Sequence, residues 1–421
     1  MPPATESAVD TDFEHPVYRV LCRERGVLTA LRREFHRFPE LGFEESRTAA
    51  RVAAELRALD IEVHEGVGRT GVVAVVHGKA PAADAAAARR GVGLRADMDA
   101  LALHELNDFD HRSQHRGVMH ACGHDGHTAM LLGAARWLAR ERVRFAGRAV
   151  LIFQPAEEGR GGADAMLADG LFERFACEQI YALHNSPVLP VGTVAVAPGA
   201  CLSSADMFTV TLHGRGGHGA HPHLAADALL AAAQLVTALQ GVVARNVPPM
   251  ESAVLSVCAI QGGDFEARNV IPDSVRLGGT VRTFSAATQD LIERRIGELA
   301  QGVAAAHGVQ AVLEYTRLFP PTVSSEHEAA FAARVAAELV GEGRVITRPM
   351  PSTASEDFAV MLQQRPGAYL RVGQGGAEAG RTLHNPHFDF NDEILPLGAS
   401  LLALLALRAL APHHPPDEET P

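Results

Sequence analysis

Residues 119–127 form a dense group of possible metal ligands, with the sequence MHACGHDGH. This run supplies one thiol, from Cys122, and three imidazoles, with glycines between them. Thiolate and imidazole together suit zinc and also bind other divalent ions of the first transition row. A structural zinc site would need a second close pair of cysteine or histidine residues, which the sequence does not offer. The run therefore indicates a functional metal site, with a loop that binds no metal as the alternative.

A pair of acidic residues, Glu157 and Glu158, comes just after the apolar run RAVLIFQP at 148–155. In open α/β sheets, the residues that bind ligands lie at the carboxyl ends of the strands. Because neighbouring side chains diverge, one carboxylate can bind a metal while the other addresses a water molecule beside it. A solvated acidic loop is the alternative interpretation.

Single histidines stand at two further strand ends. His184 lies in the run EQIYALHN at 178–185, and His384 follows GAYLRVG at 367–373. A lone histidine in such a position is more often structural than metal-binding. Four features of this kind in one chain instead favour a shared site at one edge of a sheet.

The elements that would position these residues follow the pattern of an α/β protein. Apolar runs that read as strands alternate with helical periodicity, which indicates a sheet covered by helices on both faces. We predict helices at 16–37, 45–59 and 126–141, strands at 61–66, 71–78, 91–97, 148–155, 178–185 and 192–199, and a surface loop at 79–90.

Residues 202–318 follow a different order, strand–helix–strand–strand–helix–strand, which is typical of ferredoxin-like domains. The strands are expected at 206–213, 252–261, 275–284 and 309–318, and the helices at 225–245 and 287–307. The first pattern then returns, so we predict a small domain inserted into a larger one. The larger domain would comprise 13–201 and 319–412, with disordered tails at 1–12 and 413–421.

Composition narrows the class of protein and its partners. The chain has 421 residues, of which 47% are hydrophobic and 21% charged, an ordinary balance for a soluble globular protein. Its formal net charge of −12 argues against nucleic acid or an anionic membrane as partner. Five widely spread cysteines make a poor disulfide framework and suit a reducing compartment. Because the sequence shows neither the pattern of a secretory signal nor an apolar run long enough to span a membrane, we predict a cytoplasmic protein.

A series of motifs in a fixed order carries a family resemblance. They are LRREFHRFPELGFEE (31–45), GLRADMDAL (93–101), MHACGHDGHTAMLLGAA (119–135), FQPAEEGRGGADAML (153–167), ALHN (182–185), GRGGHGAHPH (214–223), ARNVIPD (267–273), GTVRTF (279–284), SEDFA (355–359) and LHNPHFDFND (383–392). The chain resembles the aminoacylase and carboxypeptidase-G type metallohydrolases, and within them the amidohydrolase subgroup of hippurate hydrolases and indole-acetyl-amino-acid hydrolases. The resemblance implies a zinc-exopeptidase-like catalytic domain, with the ferredoxin-like domain as lid and dimerisation domain.

The resemblance also implies a dinuclear centre. Its two divalent ions, manganese, zinc, cobalt or nickel, would be held by Cys122, His124, Glu158, His184 and His384. Cys122 would bridge the ions, and Glu157 would be the general base for a metal-activated water. The broader family has a His-x-Asp ligand motif where this chain reads Arg95-Ala96-Asp97, a departure that the subgroup shares. Asp97 is then expected to orient a ligand imidazole through its second nitrogen.

The smaller domain would complete the site. His218 resembles the family histidine that stabilises the tetrahedral oxyanion and is commonly supplied by a partner subunit, which implies a homodimer or a tetramer. Asn269 resembles a residue near the same oxyanion. Arg282 is a candidate partner for the carboxylate of the substrate. Direct functions for His221, His223, Glu356 and Asp357 are left open.

The implied reaction is hydrolysis of N-acyl amino acids, such as hippurate-like, N-acetyl or indole-acetyl conjugates. A dipeptidase or carboxypeptidase with the same chemistry and an N-acetyl-diaminopimelate deacetylase are alternatives. A cysteine-nucleophile hydrolase using Cys122 would differ by surviving chelation. A phosphate-binding role for GRGG at 159–162 is excluded because the run lacks the Lys-Ser/Thr of a P-loop. A non-catalytic homologue would be expected to lack Glu157 or a ligand, and all are present.

Overall fold

The computed structural model describes residues 13–411, so the tails predicted at 1–12 and 413–421 lie outside the described residues. The strands, in chain order β1 to β16, are Glu62–Val67, Gly71–His77, Gly91–Asp97, Arg148–Gln154, Gln179–Ser186, Val194–Ala195, Gly199–Leu202, Ala205–His213, Gly217–His218, Ala253–Gln261, Val270–Ile271, Ser274–Thr283, Gln310–Phe319, Thr322–Ser324, Val345–Ile346 and Gly367–Gly373. The helices, in chain order α1 to α12, are Pro16–Arg23, Arg25–Arg37, Ser46–Arg57, Ala85–Arg89, His124–Arg140, Gly162–Ala168, Leu171–Arg174, Ala228–Arg245, Ala286–His307, Glu326–Val340, Phe358–Leu362 and Leu395–Leu410. The predicted α/β class is confirmed.

The chain forms two compact units, and the larger contains an eight-stranded sheet. Its described residues are 13–199, 323–349 and 360–411. The strand order is β1-β2-β4-β3-β5-β16-β6-β15. The central strands β4, β3, β5 and β16 are mutually parallel, so their carboxyl ends meet at one edge of the sheet. These strands are almost wholly buried, as expected for a parallel sheet with both faces covered.

Two helices, α5 and α12, form the centre of the core of the larger unit. The sequence of α12 is apolar on all sides, and nearly every residue of it is buried. The two helices approach closely because small residues face each other: a Cβ added at Gly133 would lie 2.8 Å from the Cβ of Ala399. This packing fixes α5, and with it the loop that enters the helix at His124.

Two stretches, Ala228–Arg245 and Asp392–Leu410, are long and apolar enough to cross a membrane by length and composition alone. The second contains α12, and 89% of it is buried within the fold, as in a core helix. The first is α8, whose buried residues pack in the core of the smaller unit. Neither is more than weak evidence for a membrane span.

The smaller unit, Ala200–Thr322 with Met350–Ala359, has its own hydrophobic core. Its four-stranded antiparallel sheet has the order β10-β12-β8-β13, with α8 and α9 completing the strand–helix–strand–strand–helix–strand sequence. The segment Met350–Ala359 falls within the part of the chain predicted to belong to the larger domain. It groups with the smaller unit because Ser203 N–H donates to the carbonyls of Ser352 and Ala354, at 3.1 and 3.0 Å.

Several element boundaries differ from the sequence-based predictions. The first predicted helix is two helices that meet at Glu24. The predicted loop 79–90 contains α4, an exposed single turn capped by the Asp84 carboxylate. In the run 192–199, only Val194–Ala195 forms a strand, β6, and Gly199 begins β7. The helix predicted to begin at 126 begins at His124, which has direct consequences for the site.

Candidate metal centre

Cys122 and His124 lie on either side of Gly123 at the start of α5. Gly123 has a φ of 97°, a left-handed conformation that glycine adopts without steric cost, and the helix begins at the next residue. Both ligand side chains are buried. The N-terminus of a helix carries a partial positive charge, which favours the thiolate form of a nearby cysteine. This partial charge opposes the effect of burial, which raises the pKa of the Cys122 thiol.

The pair Glu157 and Glu158 follows β4 through a sharp turn. Ala156 has a φ of 53°, unusual for a residue with a side chain, and its N–H donates to the buried carboxylate of Glu45 at 2.8 Å. Glu157 is buried, whereas Glu158 is partly exposed. The turn is thus held by a hydrogen bond from outside the loop.

The two other histidines approach Cys122 and Glu158. The Nδ1 of His184 lies 2.7 Å from the carbonyl oxygen of Asn185, and its Nε2 lies 3.5 Å from the Cys122 sulfur. His384, with a φ of 58°, places its Nε2 3.3 Å from Glu158 Oε1. The N–H of His384 donates to the carbonyl of Ala121 at 2.8 Å, which ties this loop to the one that carries Cys122.

The five candidate ligands form two groups of three that share Cys122. Within each group, one ligand atom from each residue lies within 4.8 Å of the others. The groups are Cys122, His124 and His184, and Cys122, Glu158 and His384. Glu157 forms a further such group with His124 and Glu158, so its carboxylate stands beside both.

Two buried atoms of these residues have no hydrogen-bond partner among the residues that the structure describes. They are His124 Nε2 and Glu158 Oε1. A buried polar atom without a partner is destabilising, and native proteins rarely leave one without a reason. The lone pairs of an imidazole nitrogen and a carboxylate oxygen are what a divalent cation binds, and together with a thiolate they form a donor set that suits zinc and its neighbours. The residues therefore fit a metal ion.

Neighbouring groups raise the pKa of two candidate ligands, Cys122 and His384. Burial raises the pKa of the Cys122 thiol, and the nearby Glu158 carboxylate raises it further. The Cys122 sulfur and the Glu158 carboxylate beside its imidazole raise the pKa of His384 to about 10. At neutral pH the group of Cys122, Glu158 and His384 therefore holds protons that a metal ion would have to displace.

Asp99, rather than Asp97, contacts the second nitrogen of a candidate ligand. The Nδ1 of His124 lies 3.2 Å from Asp99 Oδ1 and 3.0 Å from the Asp99 carbonyl oxygen. The other carboxylate oxygen of Asp99 accepts the N–H of Glu158 at 3.0 Å. Asp97 lies 3.9 Å from Nε2 of His124, the nitrogen that faces the ligand group. The contact predicted for Asp97 is made by Asp99 in the structure.

Asp97 instead belongs to a buried chain of polar groups through His127. Its Oδ2 accepts from Arg95 at 2.7 Å, and its Oδ1 lies 2.6 Å from His127 Nδ1. His127 Nε2 lies 2.7 Å from Asn185 Oδ1, next to the carbonyl that contacts His184. Burial raises the pKa of Asp97, but His124, His127 and Arg95 outweigh it and hold the pKa well below its usual value. Sequence reasoning gave no role to His127 or Asn185, although the spacing of His124 and His127 matches one helical turn.

In the smaller unit, His218 and Asn269 lie on one short ribbon. β9 and β11 pair His218 with Val270, and Gly219 N–H donates to the Asn269 carbonyl at 2.7 Å. Both residues are exposed, and the His221 ring lies 5.3 Å from that of His218. Arg282 lies in β12, where it donates to the carbonyl of Val281 at 2.9 Å.

The remaining acidic motif of the smaller unit includes a local cap. The Glu356 carboxylate accepts the N–H of Phe358 at 3.0 Å, and Glu356 and Asp357 are both buried.

Comparison with known proteins finds relatives that match this chain over most of its length. The model of the family described as peptidase family M20/M25/M40 matches residues 93–408. A hippurate hydrolase of Campylobacter jejuni is 40% identical over 386 residues, covering 92% of this chain and 97% of the relative. An IAA-amino acid hydrolase of Arabidopsis thaliana is 39% identical and covers 91% of this chain and 86% of the relative. A solved Bacillus subtilis structure, described as a dinuclear metal binding peptidase from the M20 family, has a TM-score of 0.79 and 31% identity, covering 92% of this chain and 99% of that one. With the family model matching three quarters of its length, the chain belongs to peptidase family M20/M25/M40.

Proposed function

We propose that this protein hydrolyses the amide bond of N-acyl amino acids at a centre of two divalent metal ions. The observation that carries the proposal is the pair of ligand groups that share Cys122, with the Glu157 carboxylate beside them. The relatives named as hippurate hydrolase and IAA-amino acid hydrolase support N-acyl amino acids as the substrate class. Cys122, His124 and His184 would hold one ion, and Cys122, Glu158 and His384 the other.

The mechanism follows from the position of Glu157. A pair of divalent cations, when bound, polarises the amide carbonyl and lowers the pKa of water toward neutrality. The Glu157 carboxylate accepts a proton from the attacking water as its oxygen bonds to the carbonyl carbon. Glu157 then passes this proton to the amine nitrogen as the C–N bond breaks, which yields a carboxylic acid and a free amino acid.

The smaller unit would supply groups that recognise the substrate. We assign His218 and Asn269 to stabilisation of the oxyanion, supported by their location on one exposed ribbon. Arg282 would pair with the substrate carboxylate. We further infer that His218 acts across a homodimer. We also infer that the enzyme is cytoplasmic, which is supported by its five cysteines, all of them free.

The substrate class is tested by a hydrolysis screen with the purified protein. Benzoyl-, acetyl- and indole-acetyl-amino acids, N-acetyl-diaminopimelate and unmodified dipeptides are compared with manganese, zinc, cobalt or nickel added to metal-free protein. We expect turnover of N-acyl amino acids that chelator abolishes and added metal restores. Faster hydrolysis of dipeptides would replace this proposal with a dipeptidase, and activity that survives complete metal removal would favour Cys122 as a nucleophile.

Replacing Glu157 separates binding of metal from chemistry. Glu157→Ala removes the general base and leaves the five ligands, so we expect full metal content and a rate at least ~100-fold lower. Metal content is measured by elemental analysis and the rate with the best substrate of the screen. Cys122→Ala serves as the contrast, because it should lower metal content as well as rate. Near-normal turnover by Glu157→Ala would show that another group accepts the proton.

A further inference from the structure

The motif at residues 31–45, LRREFHRFPELGFEE, places charged side chains inside the larger unit without supplying a candidate ligand. Arg32 and His36, on α2, and Glu45, just before α3, each have no exposed surface. Buried charges are costly unless they are paired. Their partners therefore indicate what these residues do.

Arg32 holds the segment that follows His384. Its guanidinium donates to Asp389 Oδ1 at 2.6 Å and to the carbonyl of Phe390, and it lies 3.0 Å from Asp392 Oδ1. His384 itself is exposed, and the hydrogen bond from its N–H to the carbonyl of Ala121 holds the near end of this loop. Arg32 thus fixes the far end of the loop that presents this ligand.

His36 holds the helix turn that carries His124. Its Nδ1 lies 2.8 Å from Asp125 Oδ2, and its Nε2 lies 3.1 Å from Glu105 Oε1. Burial lowers the pKa of His36, but the hydrogen bonds to Asp125 and Glu105 outweigh it and raise the pKa to about 9. Both ring nitrogens therefore carry protons at neutral pH and donate to these carboxylates.

Glu45 and the backbone near it reach two further loops of the site. The Glu45 carboxylate accepts the N–H of Ala156, in the left-handed turn before Glu157, and the backbone carbonyl of Glu40 accepts the N–H of Ala100, next to Asp99. One continuous segment of 15 residues thus contacts the loops that present His124, Glu158, His384 and the orienting carboxylate of Asp99.

We propose that Arg32, His36 and Glu45, here called the N-terminal brace, are positioning residues that set the loops of the two metal groups relative to one another. The brace touches none of the five ligand side chains and acts through Asp125, Asp389 and the backbone of Ala156. The inference rests on the proposed function. It adds that metal affinity depends on a segment far from the ligands in sequence.

Two substitutions of His36 test the brace with the same loss of positive charge, and asparagine, the shorter side chain, leaves the larger cavity. The amide nitrogen of asparagine takes the place of Nδ1, so His36→Asn keeps the contact with Asp125 and loses that with Glu105. The amide nitrogen of glutamine takes the place of Nε2, so His36→Gln keeps Glu105 and loses Asp125. Metal-free full-length protein is titrated with Co²⁺, and the thiolate-to-cobalt absorption and the visible bands are recorded. Thermal unfolding of the metal-free proteins is measured in parallel.

We expect His36→Gln to bind Co²⁺ at least ~10-fold more weakly, with altered visible bands, because partners of ligand loops commonly affect affinity by this factor. His36→Asn should stay within about threefold of the wild type. Equal affinities in the two variants, or a greater loss in His36→Asn, would overturn the proposal. Should His36→Gln not fold, Arg32→Lys, which keeps the charge and loses the forked contacts, is titrated instead, and wild-type affinity there would also overturn it. If the wild-type protein bound no Co²⁺, the proposed function itself would fail. If the wild-type protein bound Co²⁺ and the two variants did not differ, only the proposal of the brace would fail.

Discussion

Asp99 contacts two of the five candidate ligands at once. One carboxylate oxygen lies against the Nδ1 of His124, and the other accepts the backbone N–H of Glu158. His124 belongs to one ligand group and Glu158 to the other. Asp99 therefore orients an imidazole and positions a carboxylate loop with a single side chain.

Replacing Asp99 with asparagine should weaken metal binding without removing a ligand. The amide cannot accept on both sides, so either the N–H of Glu158 loses its acceptor or His124 Nδ1 keeps only the backbone carbonyl of Asp99. We expect Asp99→Asn to lower metal affinity by about 10- to 100-fold, measured by competition with a chelator. Asp164→Asn, in the first turn of α6, is the control and should leave affinity unchanged. An unchanged affinity in Asp99→Asn would show that the contact with His124 is incidental.

Residue types were easier to predict than their contacts. The thiol, imidazoles and acids stand in motifs that the sequence displays, and the structure brings the five candidate ligands together. Asp97 and Asp99 lie two positions apart at the end of β3, so their order in the sequence does not show which one faces His124. That choice depends on how α5 is rotated against the sheet, which a single sequence does not reveal.

At the scale of elements, the contact between α5 and α12 determines where the turn of Cys122 and His124 lies. Gly133 of α5 faces Ala399 of α12 and also Leu28 of α2, with little room for a side chain. Because protein interiors are densely packed, even one methyl group here must displace a neighbour.

Adding that methyl group should destabilise the larger unit. We expect Gly133→Ala to lower the free energy of unfolding by about 1–3 kcal/mol, despite the better helix propensity of alanine. Gly26→Ala is the matched control, because it lies in α2 of the same unit with no atom near the added Cβ, and should stabilise by about 0.5–1 kcal/mol. Urea unfolding monitored by circular dichroism measures both. A gain of stability in both variants would show that the helices separate without cost.

Periodicity predicted most helices and strands, but several of their ends were missed. The apolar pattern identifies the buried face of an element, whereas the end depends on individual backbone angles. α5 begins two residues earlier than predicted, because the preceding loop ends at Gly123, which takes a left-handed conformation. His124 consequently projects from the first turn of a helix.

At the scale of the whole molecule, the chain consists of two units with separate hydrophobic cores. The order of strands and helices in the smaller unit could be read from sequence because each element has a clear pattern. The association of residues 350–359 with that unit could not, because it depends on backbone hydrogen bonds with Ser203 and its neighbours. The five candidate ligands lie in the larger unit, and His218 and Asn269 in the smaller.

A mixture of two inactive variants tests whether His218 acts across subunits. Glu157→Ala and His218→Ala are each expected to be inactive, but a hybrid dimer would contain one site with both residues intact. Random exchange in an equal mixture should restore about a quarter of the wild-type rate. Exchange is verified with differently tagged chains. No recovery after verified exchange would place His218 and Glu157 of each site on the same chain, and a purely monomeric protein would exclude the dimer.

Ala156 and His384 keep left-handed backbones that glycine would adopt with less strain. Substituting glycine at either position should make the fold more robust, yet at 384 it would delete a candidate ligand. Selection for heat resistance alone would therefore favour glycine at position 384, with loss of the candidate ligand. A candidate ligand at position 384 thus comes at a cost in backbone stability.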